Sequence, residues 1–160
     1  MANIKFSGFS EYEAMLRRLE RDAEAIAKRA VYEGAKVVAD TVKAQIGSIS
    51  SEGPSDAERE RREKQKAGIK ESLGISSMRN DNGFINVKVG FDGYNDIRTK
   101  KHPNGQPNAM VARIYNSGTS HNRKQPFFKR AINQSKEGCK NAMALEVDKC
   151  IKAIEKGGRT

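Results

Sequence analysis

From Ser10 to Ile46 apolar residues recur every three or four positions on a strongly charged background, with no proline to interrupt them. That spacing predicts one amphipathic helix, roughly 54 Å long at 1.5 Å per residue. Ser10 with Glu13 three residues on fits a capping box at its start. Tyr12, Leu16, Leu19, Ala23, Ile26 and Ala30 share one face, and Val37, Val38, Val42 and Ile46 carry it onward with some drift. Gly34 in mid-helix is either tolerated at about 1 kcal/mol against alanine or marks a close backbone approach. A second stripe runs through Phe128, Ile132, Ser135, Cys139, Met143, Val147, Cys150 and Ile154. It predicts another long helix, opened by Pro126 in its first turn, where a missing N–H costs nothing.

Between the two the pattern is shorter. Asn3–Ser7 alternates and suggests a strand. Ser48–Ala67 has small residues, Pro54 and a dense run of mixed charge, which predicts a charged flexible loop; its part from Ala57 to Ala67 is either a solvated helix or a segment ordered by a partner. Ile69–Leu73 suggests a helical turn. Leu73, Ile75 and Met78 approach one strand and Phe84–Phe91 forms another. Asn80–Gly83, which tolerate positive φ, make the pair a hairpin. Asp92–Asn108 reads as an exposed loop. Ala109–Asn116 is short and apolar enough to be helix or strand, with Met110, Ile114 and Val111 as its inward side chains if helical, and Gly118 ends it. The fold class is α+β: two long amphipathic helices, Glu11–Ile46 and Pro126–Glu155, packed on a small antiparallel sheet containing the Leu73–Phe91 hairpin. The 160 residues form a single domain.

Composition narrows the function. With 36% hydrophobic residues and no tryptophan the core is small and the shape extended. No apolar run is long enough to span a bilayer. The start MANIKFSGF reads as neither signal nor transit peptide, so assembly in the cytoplasm is expected. Cys139 and Cys150 lie about 16 Å apart along one helix face, beyond disulfide reach, and read as buried thiols. The net charge of +10 is concentrated late: an excess of one before Arg79 and of nine from Arg79 onward. Arg98, Lys100 and Lys101, with Arg123 and Lys124 further on, are candidates for an interface with an acidic surface or for a DNA channel. No glycine-rich phosphate loop, HExxH, CxxC or nucleophile elbow is present, and His102 and His121 stand alone. Neither catalytic, metal nor cofactor residues are expected.

The opening NIKFSGFSEYE, the segment IKESLGI, the strand NGFINVKVGFDGY, and above all IYNSGT followed by QPFFKRAI, together resemble the small tail-component or head-to-tail joining (neck, tail completion) proteins of long-tailed bacteriophages and prophages. The likeness spans nearly the whole chain, and its most specific part is Tyr115, Gly118, Thr119 with Pro126, Phe127, Ala131. Asn116 and Ser117 depart from the family's acidic and aromatic neighbours, and Arg130 stands where a proline is frequent. The resemblance implies a structural virion protein without catalysis or cofactor. Such a protein forms a homo-oligomeric sixfold or twelvefold ring at the head-tail junction, with head-completion and tail-tube or tail-terminator proteins as partners and passing DNA as a non-specific contact. A basic nucleic-acid-binding module is the alternative.

Overall fold

A computed structural model describes residues 9–157. The expected strand at Asn3–Ser7 lies outside them. In chain order the elements are α1 (Phe9–Gly47), α2 (Asp56–Glu71), β1 (Leu73–Ile75), β2 (Arg79–Asp81), β3 (Phe84–Asn86), β4 (Val89–Phe91), α3 (Asn108–Ser117) and α4 (Phe127–Glu155). The class is α+β as expected.

The long helices α1 and α4 run antiparallel along one another. At one end Val42 and Ile46 meet Phe127 and Ala131; at the other, Ile26 packs on Cys150 and Ile154, with Met15 and Leu19 alongside. Gly34 marks the close approach between them, since a Cβ there would stand 2.8 Å from Met143 Cγ and 2.9 Å from Cys139 Sγ. Both atoms are side-chain atoms, but Met143 Cγ is one bond from its Cβ and Cys139 Sγ ends a short side chain, so making room costs some packing. Gly34→Ala, which gains about 1 kcal/mol of helix propensity, is therefore expected to be near neutral in urea unfolding. Gly34→Val, whose branches cannot follow the groove, is expected to lose about 1 to 2 kcal/mol.

The faces differ from expectation in phase. Phe9 is already helical, so Ser10 is not the cap, and Glu13 instead takes Arg17 at 2.7 Å one turn on. Tyr12 and Leu16 are exposed, as is Ala23; Leu19 and Ile26 pack toward α4 as expected, but Met15 joins them, so the covered face is rotated away from Leu16 and Ala23. On α4 the inward stripe begins with Phe127 and Ala131, while Ile132 is exposed. Of the thiols, Cys150 is buried and Cys139 only half-buried.

β1 pairs with β4 and β2 with β3, all antiparallel. These are two stretches of one hairpin. Between the pairs Ile75↔Val89 and Arg79↔Asn86, residues 76–78 face only 87–88, so one extra residue bulges the first strand and steps the register. Asn82 and Gly83 close the turn with φ of 53° and 90°, the two positive values that a two-residue type I′ turn requires. The hairpin lies along α1: Asn80 Nδ2 donates to Glu24 Oε1 at 3.1 Å. It reaches α4 through Phe91, whose ring meets Phe127 and Phe128 edge-on at 6.4 and 5.4 Å.

Ser48–Ala67 is not all loop. Residues 48–55 connect, Ser55 Oγ accepts from Glu58 N at 3.2 Å, and α2 then runs to Glu71, taking in the start of the turn read at Ile69–Leu73. Tertiary contacts anchor the helix, among them the Gln65 amide donating to Gln106 Oε1 at 2.8 Å and Arg62 donating to the Glu52 carbonyl. Ile69 is fully buried in the main core, and Gln65 accepts from the Tyr115 hydroxyl at 3.0 Å. Residues 109–116 are helical, within α3; Val111 is buried as expected, together with Ala112 and Tyr115, while Met110 packs half-buried against the same core and Ile114 is half-buried.

Candidate functional site

The residues that carry the family resemblance converge on one corner. Tyr115, 3% exposed, and Phe127 and Ala131, both 0% exposed, belong to the cluster where α1, α2, α3 and α4 meet. Gly118 ends α3 with φ 77° and ψ 168°. Thr119 then closes a tight turn: its N–H donates to Asn122 O at 2.9 Å, and its Oγ1 accepts from Asn122 N at 3.1 Å. The chain returns as Gln125 N donates to Tyr115 O at 2.9 Å. Pro126 is the residue before α4 rather than its first helical residue. Asn116 Oδ1 caps α4 by accepting from Phe128 N at 3.2 Å.

Burial raises the Tyr115 phenol above its ordinary range, and the nearby Arg62 charge only partly opposes the shift. The fold thus holds the neutral phenol, and the associated stability is fully present below about pH 10, the unfolded value, and lost as pH rises through the higher folded value. Tyr115→Phe is expected to cost about 1 kcal/mol at neutral pH through the lost bond to Gln65. In urea unfolding followed between pH 9 and 11, its stability should fall less steeply than that of the unaltered protein.

The five candidate cations do not form one site. Arg98, Lys100 and Lys101 are exposed, and none has an ion-pair partner among the described residues. Their loop is nonetheless braced. Thr99 and His102 exchange backbone bonds of 3.1 and 3.0 Å, which puts Lys100 and Lys101 at the tip of a tight turn, and Asn95 N donates to Gln106 O at 2.9 Å beneath it. Asn95 O presses so closely on Gly105 (φ 108°) that no Cβ fits there. The cleft beside this loop, about 710 Å³, is lined by Glu71, Asp92 and Asp96 as well as Lys64, so the basic tip borders an acidic hollow.

Arg123 and Lys124 belong elsewhere, on a cleft of about 360 Å³ that also takes in Arg62, Arg130 and Glu52. Two of these cations are already engaged. Arg62 donates to Glu58 Oε1 at 3.3 Å and to the Glu52 carbonyl, and Arg130 Nε donates to Gln45 Oε1 at 3.1 Å. Sequence reasoning missed Arg62 and Arg130 because the cleft is assembled from the 50–52 segment, α2, the turn after α3 and α4. No spacing in one segment announces it.

Among the described residues no three His, Cys, Asp or Glu side chains converge in a way that could hold a metal, and no helix is long and apolar enough to cross a membrane. The chain matches no family model, no curated protein and no solved structure.

Proposed function

We propose that this protein is a structural component of a tailed phage or prophage virion. It acts without catalysis or cofactor, as a ring-forming subunit at the head-tail junction that joins or completes the tail. The observation that carries the reading is the corner: Tyr115, Gly118, Thr119, Pro126, Phe127 and Ala131, noted as the most specific part of the resemblance, are consecutive parts of one packed turn between α3 and α4. They do structural work there, and the surface is left with side chains that suit neighbours. Tyr12, Leu16, Phe84, Ile132 and Leu145 are each more than half exposed. In this reading the subunit assembles in the host cytoplasm into a sixfold or twelvefold ring. The Arg98, Lys100 and Lys101 tip pairs with an acidic hollow such as that of Glu71, Asp92 and Asp96 on a neighbour, each exposed pair contributing about 0.2 to 1 kcal/mol. Replacing Arg98, Lys100 and Lys101 together with serine should reduce both the oligomer size in light scattering and the yield of joined heads and tails. Normal assembly with normal infectious particles would remove the reading of this loop.

The cleft of Arg62, Arg123, Lys124 and Arg130 favours a second reading, a basic nucleic-acid contact without sequence readout. It requires duplex DNA binding that weakens steeply with salt and weakens further in Arg123→Ser with Lys124→Ser. Binding unchanged in that double variant would exclude this cleft.

A further inference from the structure

The outer strand of the hairpin has the geometry to recognise itself. Across a two-residue turn, Asp81 and Phe84 form a hydrogen-bonded pair, as do Arg79 and Asn86, while Asn80 and Ile85 between them occupy the non-bonded position. The N–H and C=O of Asn80 therefore point away from β3, toward the open edge. The Asn80 side chain does not compete for them: Oδ1 accepts from Gly83 N at 2.9 Å and Nδ2 donates to Glu24 at 3.1 Å. That second bond also orients the sheet. Asn80 and Ile85 face α1, and the alternate residues Arg79, Asp81, Phe84 and Asn86 face solvent. All of β2 is exposed, and Phe84 is 78% exposed.

We propose that β2 is a docking edge for a second copy of this chain, the two strands pairing antiparallel about a two-fold axis at Asn80. Each Asn80 N–H then donates to the other copy's Asn80 C=O. The same operation sets Arg79 of one copy opposite Asp81 of the other, twice, on the solvent face. Opposite charges directly across a ladder stabilise it and like charges oppose it, so charge complementarity selects this occupant. Arg79 has no ion-pair partner within the described residues, and Asp81 has only the amide of Asn86, at 2.7 Å. Short charged edges discourage foreign strands, whereas a basic and an acidic residue placed symmetrically about the centre discourage all but a strand of the same sequence. The result is a four-stranded sheet, β3–β2–β2–β3, in place of two marginal ribbons. A contact of this kind is isologous and closes on itself. It is distinct from the contact that would close a ring, and it stands or falls separately from the head-tail reading.

The full-length protein tests it. Sedimentation over rising concentration should show the average mass moving from monomer toward dimer. Arg79→Asp and Asp81→Arg should each abolish that rise, because each sets like charges opposite one another at both places. The double variant should regain pairing with itself but not with the unaltered protein. In parallel, amide exchange at Asn80 should slow with concentration while exchange at Phe84, already bonded within the hairpin, should not change. Should a substitution lose the helical circular dichroism, the concentration dependence at Asn80 in the unaltered protein decides alone. A monomer at every concentration, self-association that survives in both single variants, or Asn80 exchange indifferent to concentration would overturn the proposal.

Discussion

Replacing Phe127 with alanine is expected to destabilise the protein by roughly 3 to 5 kcal/mol, the range for removing a buried aromatic ring from a core. Phe127 is 0% exposed and the largest of the fully buried side chains. It shares its cluster with Val42 and Ile46 of α1, Ile69 of α2, Val111 and Tyr115 of α3 and its own helix neighbour Ala131, so four elements border the hole it would leave. They cannot all close on it: Tyr115 is tied to Gln65, and the start of α4 is tied to α3 through Asn116. The stacked ring of Phe128, 4.9 Å away, lies at the edge of the core and is half-buried, so Phe128→Ala should cost distinctly less. Urea unfolding of the two variants side by side makes the comparison. Equal losses, or a loss below about 1 kcal/mol for Phe127→Ala, would show that the corner is held some other way.

The contrast between the two phenylalanines also shows what the sequence can and cannot disclose. Periodicity finds the long helices because their stripes extend over many turns, and the hairpin because Asn82 and Gly83 supply the positive φ values its turn needs. It does not fix which of two adjacent aromatics points inward. Starting the α4 stripe at Phe128 rotates it by one residue and places Ile132 inside, whereas the structure buries Phe127 and Ala131. The apolar face of α1 is misjudged for another reason. Tyr12, Leu16 and Ala23 have regular spacing, but α4 lies against the face of Met15, Leu19 and Ile26, a rotation about the helix axis that regular spacing alone does not fix. The helical state of α2 was open to either reading because its sequence is nearly all charge. The one local sign was Ser55 followed by Glu58, a capping box, and its other anchors, among them Ile69, the Gln65 bonds to Tyr115 and Gln106 and the Arg62 bond to the Glu52 carbonyl, are tertiary. The basic cleft was half legible: Arg123 and Lys124 are adjacent in sequence, but Arg62 and Arg130 join them only through the fold.

The second large effect is expected at Gly118. Its φ of 77° with ψ of 168° lies in a region essentially restricted to glycine, where another residue is strained by about 1 to 3 kcal/mol. A Cβ there would also meet the Lys124 backbone, 2.9 Å from its N and 3.0 Å from its Cα. Backbone cannot swing aside as the Met143 side chain can opposite Gly34, and this stretch is fixed on both sides. Before Lys124, Thr119 and Asn122 exchange backbone bonds of 2.9 and 3.3 Å; after it, Gln125 N is bonded to Tyr115 O and the Gln125 side chain accepts from Ser50 N at 2.8 Å. Relief would mean moving the 119–125 turn outward, which lengthens the Gln125 to Tyr115 bond and withdraws Arg123 and Lys124 from Arg62 and Arg130. Gly118→Ala is therefore expected to cost roughly 2 to 4 kcal/mol in urea unfolding, strain and clash together. Gly47, which meets nothing within 4 Å and shows no positive φ, provides the control: Gly47→Ala should be neutral or slightly stabilising. If Gly118→Ala matched that control, the α3–α4 turn would be free to take another path, and the corner could not be what holds the two basic segments in place.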